Sequence, residues 1–199
     1  ISDLFSPHLF SDMPKAIALV KKAQENKEKA MVFGDYDVDG ITSTVLVKNT
    51  LSALGLDVLH YIPHRIKEGY GLNKEIINFA KENKVKLMVT ADCGTANHKE
   101  VEGLRAANID VIVTDHHEPQ GLNLPAASSI INPKLKHSGY PYRDLAGVGV
   151  AYKFCQAISG SILSEDLDLV TLGTIADSVP LNGENRIIAK EGLSRLPDT

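Results

Sequence analysis

Short apolar runs at 31–33, 58–62, 87–91 and 111–114 alternate with stretches of helical periodicity, and this alternation constrains the fold more than any other feature. Strands separated by helices of roughly ten to fifteen residues are not hairpins; they pair in parallel, and a parallel sheet has to be covered on both faces. The expected fold is α/β, a mainly parallel sheet with helices on both faces, followed by a helical segment after about residue 135. Parallel strands bring their C-terminal ends to one edge, where open α/β sheets bind ligands. Three of the runs lead there straight into acidic residues. The first is followed by Asp35-Tyr36-Asp37-Val38-Asp39-Gly40, the third by Asp92-Cys93-Gly94-Thr95 and the fourth by Asp115-His116-His117. Residues up to about eighty positions apart are thereby expected to share one crevice.

The helices have readable boundaries. Pro14 suits a first turn after Ser11 or Asp12, with Ala16, Ile17, Val20 and Ala23 on one face. In a second helix from about Ile41, the residues Ile41, Val45, Lys48, Leu51 and Leu54 recur on one face, and Gly55 follows its end. Asn73 caps a helix through Lys84, and another runs over 97–108. Beyond Glu118 come a short apolar stretch (Ser129-Ile130-Ile131), then Asn132-Pro133-Lys134 and an irregular segment. A helix opens at Ala146-Gly147-Val148-Gly149-Val150-Ala151. Ser164 caps one through Ile175, and a last runs from Gly183 to about Leu196.

Composition sets outer limits. With 199 residues, 43% of them hydrophobic, the chain is long enough to bury a core without staples. Two cysteines about sixty residues apart form neither a disulfide framework nor a zinc knuckle, so a reducing cytoplasm is expected. No apolar run approaches the roughly 18 residues of a membrane span, and no membrane partner is expected. The net charge of −4 offers no general attraction to nucleic acid, so a phosphate-bearing partner needs a local basic patch or a bound metal.

Three carboxylates at alternate positions repel one another unless a cation neutralises them. Asp35, Asp37, Asp39 and Gly40 fit the first half of a calcium-binding EF-hand loop, but position twelve of that loop requires a bidentate Glu and is Leu46 here. Asp37, Asp39, Asp92, His116 and Asp177 exceed the needs of one tetrahedral zinc. They suit two ions roughly 3.5–4 Å apart, with Asp92 as the bridging candidate, and a mainly oxygen donor set favours manganese or magnesium. Asp35 is a less certain ligand. The expected chemistry is phosphoester hydrolysis, with Asp92, Asp115 and His117 as the catalytic group and His117 facing the substrate. Arg65 and Lys67 are placed to hold phosphates, or are solvated surface charges. Gly147 and Gly149 form either a phosphate-binding turn at a helix N-terminus or a close packing contact. Cys93 and Cys155 read as small buried residues. A receiver-type signalling domain, mapped onto Asp37, Asp92, Thr114 and Lys134, leaves the His pair and Asp177 without roles. A non-catalytic scaffold on the same fold leaves the whole ligand set unused.

The motifs in order are Gly34 to Thr42, Arg65 with Glu68-Gly69-Tyr70-Gly71-Leu72, Ala91 to Gly94, Thr114 to His117, Ile131 to Lys134, Ala146 to Ala151, Gly173 to Asp177 and Gly183-Glu184-Asn185-Arg186. Together they resemble the DHH phosphoesterase superfamily, and within it the RecJ-type branch of exonucleases specific for single-stranded DNA. The resemblance implies metal ligands at Asp37, Asp39, Asp92, His116 and Asp177, a substrate-facing His117, and two manganese ions, with magnesium as a substitute. Many superfamily members carry a histidine four residues before the first ligand, where this chain has Phe33; this points to the RecJ-type branch and to one ion held by fewer protein groups. The implied activity is 5′-to-3′ degradation of single-stranded DNA in recombination and repair, with a short-oligonucleotide phosphoesterase of the same superfamily as the alternative. Helicase or single-strand-binding protein partners and a monomeric state are implied as well. Residues 1–182 are expected to form the catalytic domain and 183–199 the start of a connecting helix to a second domain. The isolated core is expected to bind metal yet degrade DNA poorly.

Overall fold

The structure, a computed structural model, describes residues 3–121 and 123–196. Residues 1, 2 and 197–199, the ends of the two expected spans, lie outside the described residues.

Five strands, β1 (Lys29–Gly34), β2 (Asp57–Tyr61), β3 (Val85–Ala91), β4 (Asp110–Thr114) and β5 (Ser129–Ile131), form one sheet in the order β2-β1-β3-β4-β5. Every pairing is parallel. The order runs outward in opposite directions from β1 and β3, so a crevice opens between their C-terminal ends. β5 is the run read from sequence only as a short apolar stretch. It pairs through Ile112, Val113 and Thr114, and three residues are too few to show a period.

The helices are α1 (Met13–Glu25), α2 (Val38–Ala53), α3 (Glu75–Glu82), α4 (His98–Ala106), α5 (Gly147–Ser159), α6 (Leu167–Ala176) and α7 (Gly183–Leu193). Alternate residues of β1 serve opposite faces. Ala30 and Val32 join a core with α1, α2 and α5, whereas Met31 and Phe33 join one with α3 and α4. Each fully buried side chain of this size contributes roughly 1.5–3 kcal/mol relative to exposure. The helical part after the sheet is thus layered: α5 lies on the sheet, α6 packs on α2 and α5, and α7 packs on α6.

Several boundaries depart from expectation. α2 starts at Val38, not Ile41, because the Asp37 carboxylate caps it by accepting from Gly40 N at 2.9 Å. Its buried face is also different: Ile41 and Val45 are exposed, and Thr42, Ser43, Thr44, Leu46, Val47, Thr50 and Leu51 are buried. Thr42, Thr44 and Thr50 tolerate burial by donating to carbonyls four residues earlier, at 2.8, 2.7 and 2.9 Å. Ser164 opens a short 3-10 turn rather than capping a helix with its side chain. The cap residue of α3 is Lys74 rather than Asn73, although the Asn73 side chain, one residue earlier, accepts from Ile76 N at 3.0 Å, and the helix ends at Glu82; Gly55 follows the end of α2 at φ 86°.

A buried ion pair was not legible in the sequence. Lys153 on α5, fully buried, lies 2.8 Å from Glu184 on α7 and donates to Phe5 O at 2.8 Å. Glu184 also accepts from Tyr140 Oη at 2.6 Å and Phe5 N at 2.9 Å.

Candidate metal centre

Three strand ends and one helix end supply the centre. Asp35 follows β1, Asp37 caps α2, Asp39 lies in its first turn, Asp92 follows β3, His116 follows β4 and Asp177 caps the C-terminus of α6. Gly40 makes the first loop tight enough, since a Cβ there would overlap the backbone of Asp35. Asp92 sits at φ 61°, a left-handed conformation that non-glycine residues seldom adopt and that collects at functional sites.

His116 Nε2 is the meeting point. It lies 3.2 Å from Asp92 Oδ1, 3.6 Å from Asp177 Oδ2 and 4.0 Å from Asp39 Oδ2. Its other nitrogen, Nδ1, is 3.1 Å from the carbonyl of Leu145. A carbonyl only accepts, so Nδ1 carries a proton and Nε2 is the nitrogen turned towards the carboxylates, the orientation a metal-ligating imidazole takes. Asp35 Oδ1, Asp92 Oδ1 and His116 Nε2 are buried without any hydrogen-bond partner. Buried polar atoms are nearly always satisfied, so three orphans facing one space fit a cation-binding site.

The donors fall into three groups: Asp35, Asp37 and Asp92; Asp39, His116 and Asp177; and Asp92, His116 and His117. Within each group, donor atoms lie within 4.8 Å of one another. Asp92 joins the first group to the histidines.

Charge confirms the strain. Burial pushes the carboxyls of Asp39 and Asp92 well above their usual range, and other carboxylates add to it: Asp92 and Asp177 act on Asp39, and Asp115, Asp37 and Asp177 on Asp92. Burial raises Asp35 and Asp177 as well. Asp39 is partly relieved by the N-terminus of α5, where Gly147 N and Val148 N donate to its two oxygens at 2.7 Å each.

Asp115 behaves oppositely. Burial works to raise its carboxyl, but bonds from His117 and Thr95 outweigh this and hold it below the ordinary value. One oxygen accepts from His116 N at 2.7 Å and lies 2.7 Å from His117 Nδ1; the other accepts from Thr95 N at 2.8 Å. It therefore orients the His pair without joining the donor groups. His117, half exposed, is protonated more readily than a free imidazole, first through its bond to Asp115.

The remaining expected residues separate. Arg65 lies on the rim with its guanidinium 5.1 Å from the centre of the Tyr36 ring, and Lys67 is exposed on the same loop. Gly147 is under the centre, where a Cβ would overlap the Asp92 carboxylate, and its N–H is committed to Asp39. Gly149 packs against Leu145, one turn away from the donors. For both glycines, close packing accounts for the absent side chain. Phe33 faces the α3 and α4 core and stacks on Tyr61, contributing nothing to the centre. Cys93 and Cys155 are buried free thiols. Tyr70 carries no expected role from the sequence motif that contains it, yet its hydroxyl lies 3.0 Å from His117 Nδ1. Its loop is pinned by Asn97, which donates to Leu72 O at 3.1 Å, and by Glu68, which accepts from Tyr61 Oη at 2.6 Å and His64 N at 2.7 Å.

The sequence profile of the DHH family, N-terminal domain, matches residues 29–174, from the start of β1 into α6. The chain belongs to the DHH family. This DHH domain is 45% identical, over its whole length, to the single-stranded-DNA-specific exonuclease RecJ of Bacillus subtilis (strain 168), covering 25% of that protein. It is 41% identical to the exonuclease of the same name from Escherichia coli (strain K12), over 94% of this chain and 35% of that one. Among solved structures, exonuclease RecJ bound to manganese superposes with a TM-score of 0.87 at 38% identity, over 95% of this chain and 49% of the other. RecJ from Thermus thermophilus in complex with Mn2+ gives a TM-score of 0.79 at 35% identity, over 96% and 28%. The chain thus spans about a quarter to a third of the curated relatives it matches.

Proposed function

We propose that this DHH domain holds two divalent ions, manganese with magnesium as a substitute, and hydrolyses phosphodiester bonds of single-stranded DNA from the 5′ end. The observation carrying this reading is that Asp92, with an unpartnered buried oxygen, belongs both to the group with Asp35 and Asp37 and to the group with His116. In this scheme Asp35, Asp37 and Asp92 hold one ion, and Asp39, Asp92, His116 and Asp177 the other. Bound divalent ions supply charge neutralisation at phosphoryl oxygens and a water acidic enough to attack phosphorus near neutral pH. His117, held by Asp115 and facing outward, donates a hydrogen bond to a phosphoryl oxygen and assists the leaving group. Tyr70 Oη, 3.0 Å from His117 Nδ1, adds a second contact that holds the ring.

An extended nucleic acid also needs cationic surface. Arg65 provides it at one rim. On the β5 side, Lys134, Lys136 and Arg143 line a cavity of about 580 Å³ with an apolar wall including Ile130 and Leu135. The wall suits a base and the cations suit phosphates, which favours a polynucleotide over a small phosphoester. That manganese accompanies solved RecJ structures, and that the similar curated proteins are single-stranded-DNA-specific exonucleases, supports the metal and the substrate. The polarity, and a place in recombination and repair, rest on the RecJ-type resemblance.

The test is incubation with manganese and end-labelled substrates, alongside calorimetric manganese titration. Mononucleotides released from the 5′ end of single-stranded but not duplex DNA are expected, slowly if the rest of the parent protein supplies part of the DNA cleft. Cleavage of RNA dinucleotides alone would move the domain to short-oligonucleotide hydrolysis. The absence of both cleavage and manganese binding would overturn the proposal.

A further inference from the structure

Two irregular segments fix the metal centre from outside the sheet. The turn at 144–146 supplies the Leu145 carbonyl that sets the tautomer of His116 and leads into the start of α5, whose Gly147 and Val148 N–H groups hold Asp39. The turn at 177–180 begins with Asp177 itself and continues through Ser178 at φ 60°. Neither turn belongs to the sheet, so strand pairing does not determine the distance between them. That distance, together with the packing of α6 on α2 and α5, sets how far Asp177 stands from His116 and Asp39.

One side chain spans both turns. Asn185, in the first turn of α7 and fully buried, donates from Nδ2 to Asp144 O at 2.6 Å and to Pro180 O at 3.1 Å. We infer that Asn185 is a positioning residue for the metal centre, clamping the turn that orients His116 and Asp39 to the turn that carries Asp177.

The chemistry of the amide supports this over simple packing. A carboxamide nitrogen offers two hydrogens in a fixed fork, and both are used on carbonyls of different turns. The Asn185 oxygen, in contrast, is buried with no partner. An apolar residue of similar size would fill the space without burying an unpaired acceptor, so the position is occupied for its two donors. Asp144 and Pro180 lie outside helices and strands. Pro180 O has a second, longer donor in Tyr142 Oη at 3.4 Å, but among the described residues Asn185 alone joins both carbonyls to the first turn of α7. The nearby Lys153 and Glu184 pair ties α7 to α5 and Phe5, and touches neither turn, so its role is separable.

The inference rests on the metal reading, and the experiment distinguishes failure of either. Manganese affinity is measured by calorimetry for the wild type, Asn185→Ala and Val85→Ala. Val85 is buried at the start of β3, the strand's far end from the centre, and its truncation reports generic destabilisation. Asn185→Ala is expected to weaken manganese binding about 10- to 100-fold, as loss of an outer-shell partner does, with a fall in Tm comparable to Val85→Ala, which binds like the wild type. Nitrogen NMR of the metal-free protein is expected to show His116 protonated at Nδ1 in the wild type and a tautomer mixture in Asn185→Ala. Asn185→Ser keeps one donor and is expected between the two; it carries the test if Asn185→Ala does not fold. Unchanged manganese affinity and an unchanged His116 tautomer in the folded Asn185 variant would overturn the inference. A wild type that binds no manganese would instead overturn the metal reading.

Discussion

The molecule buries acidic residues in two places and treats them differently. At the α5–α7 junction, Glu184 is matched by Lys153, Tyr140 and Phe5 N, with both oxygens engaged. At the C-terminal edge of the sheet, Asp35, Asp39, Asp92 and Asp177 crowd together, the ion-paired partners of the last three being histidines, and orphaned atoms remain. Glu184 belongs to a closed arrangement that needs nothing further. The second arrangement is held by the surrounding core and leaves donor atoms free for a cation. A buried carboxylate therefore marks a ligand site when its donors are missing, and a structural lock when they are present.

The largest expected effect falls on the closed cluster. Lys153→Met strands Glu184 as an unpaired buried charge and is expected to cost about 3–5 kcal/mol in denaturant unfolding. The folded fraction should keep wild-type manganese affinity; a parallel loss of affinity would show that the two clusters are not independent.

The mirror experiment is Asp92→Asn. Since outer-shell changes cost about 10- to 100-fold in metal affinity, loss of a shared ligand is expected to exceed roughly 100-fold. The metal-free protein should become more stable, because a repelled carboxylate is gone. Saturating manganese at about 100 times its Kd stabilises the wild type by roughly 2.7 kcal/mol, and this increment should vanish in the variant. A less stable metal-free Asp92→Asn would argue that the cluster is self-satisfied after all.

Gly147→Ala sharpens the boundary between packing and ligation. The added methyl displaces the Asp92 carboxylate, at an overpacking cost of about 1–3 kcal/mol, and should reduce manganese affinity. Gly149→Ala meets only the side chain of Leu145 and should leave affinity unchanged. Equal effects in calorimetry would mean that the turn responds as a unit.

The smallest effect concerns Asp110, a partnered carboxylate at the opposite edge. Burial opposes its ionisation, but bonds from Lys22 and Ser128 and the charges of Lys22 and Arg105 hold its carboxyl below the ordinary value. Its contribution is fully present above the unfolded value near 3.9 and is lost as pH falls through the lower folded value. With Lys22 and Arg105 about half exposed, Asp110→Asn is expected to cost less than about 1 kcal/mol at pH 7, with a smaller difference from wild type in acid melts. A difference that grows on acidification would reverse the assignment.

Sequence alone determined the parallel sheet and the acidic residues gathered at its C-terminal edge, because apolar period, helix length and acidic strand ends are local signals. Asp37, Asp39, Asp92, His116 and Asp177 stand out in the sequence, with Asp35 beside them, and in the fold their donor atoms fall into groups that could hold an ion. The buried face of α2 departs from its apolar pattern because a helix wedged between the sheet and two other helices buries threonines whose hydroxyls bond back to their own turn. Four features depended on tertiary structure: the tautomer of His116, the anchoring of Asp39 on α5, the Lys153 and Glu184 lock, and the Asn185 clamp. Apart from the Asn185 bond to Pro180, five positions away, these contacts pair groups 29 to 148 positions apart in sequence, largely through carbonyls and amides that every residue possesses. Backbone donors and acceptors carry no residue identity, so only their placement in space reveals which ones hold the metal centre.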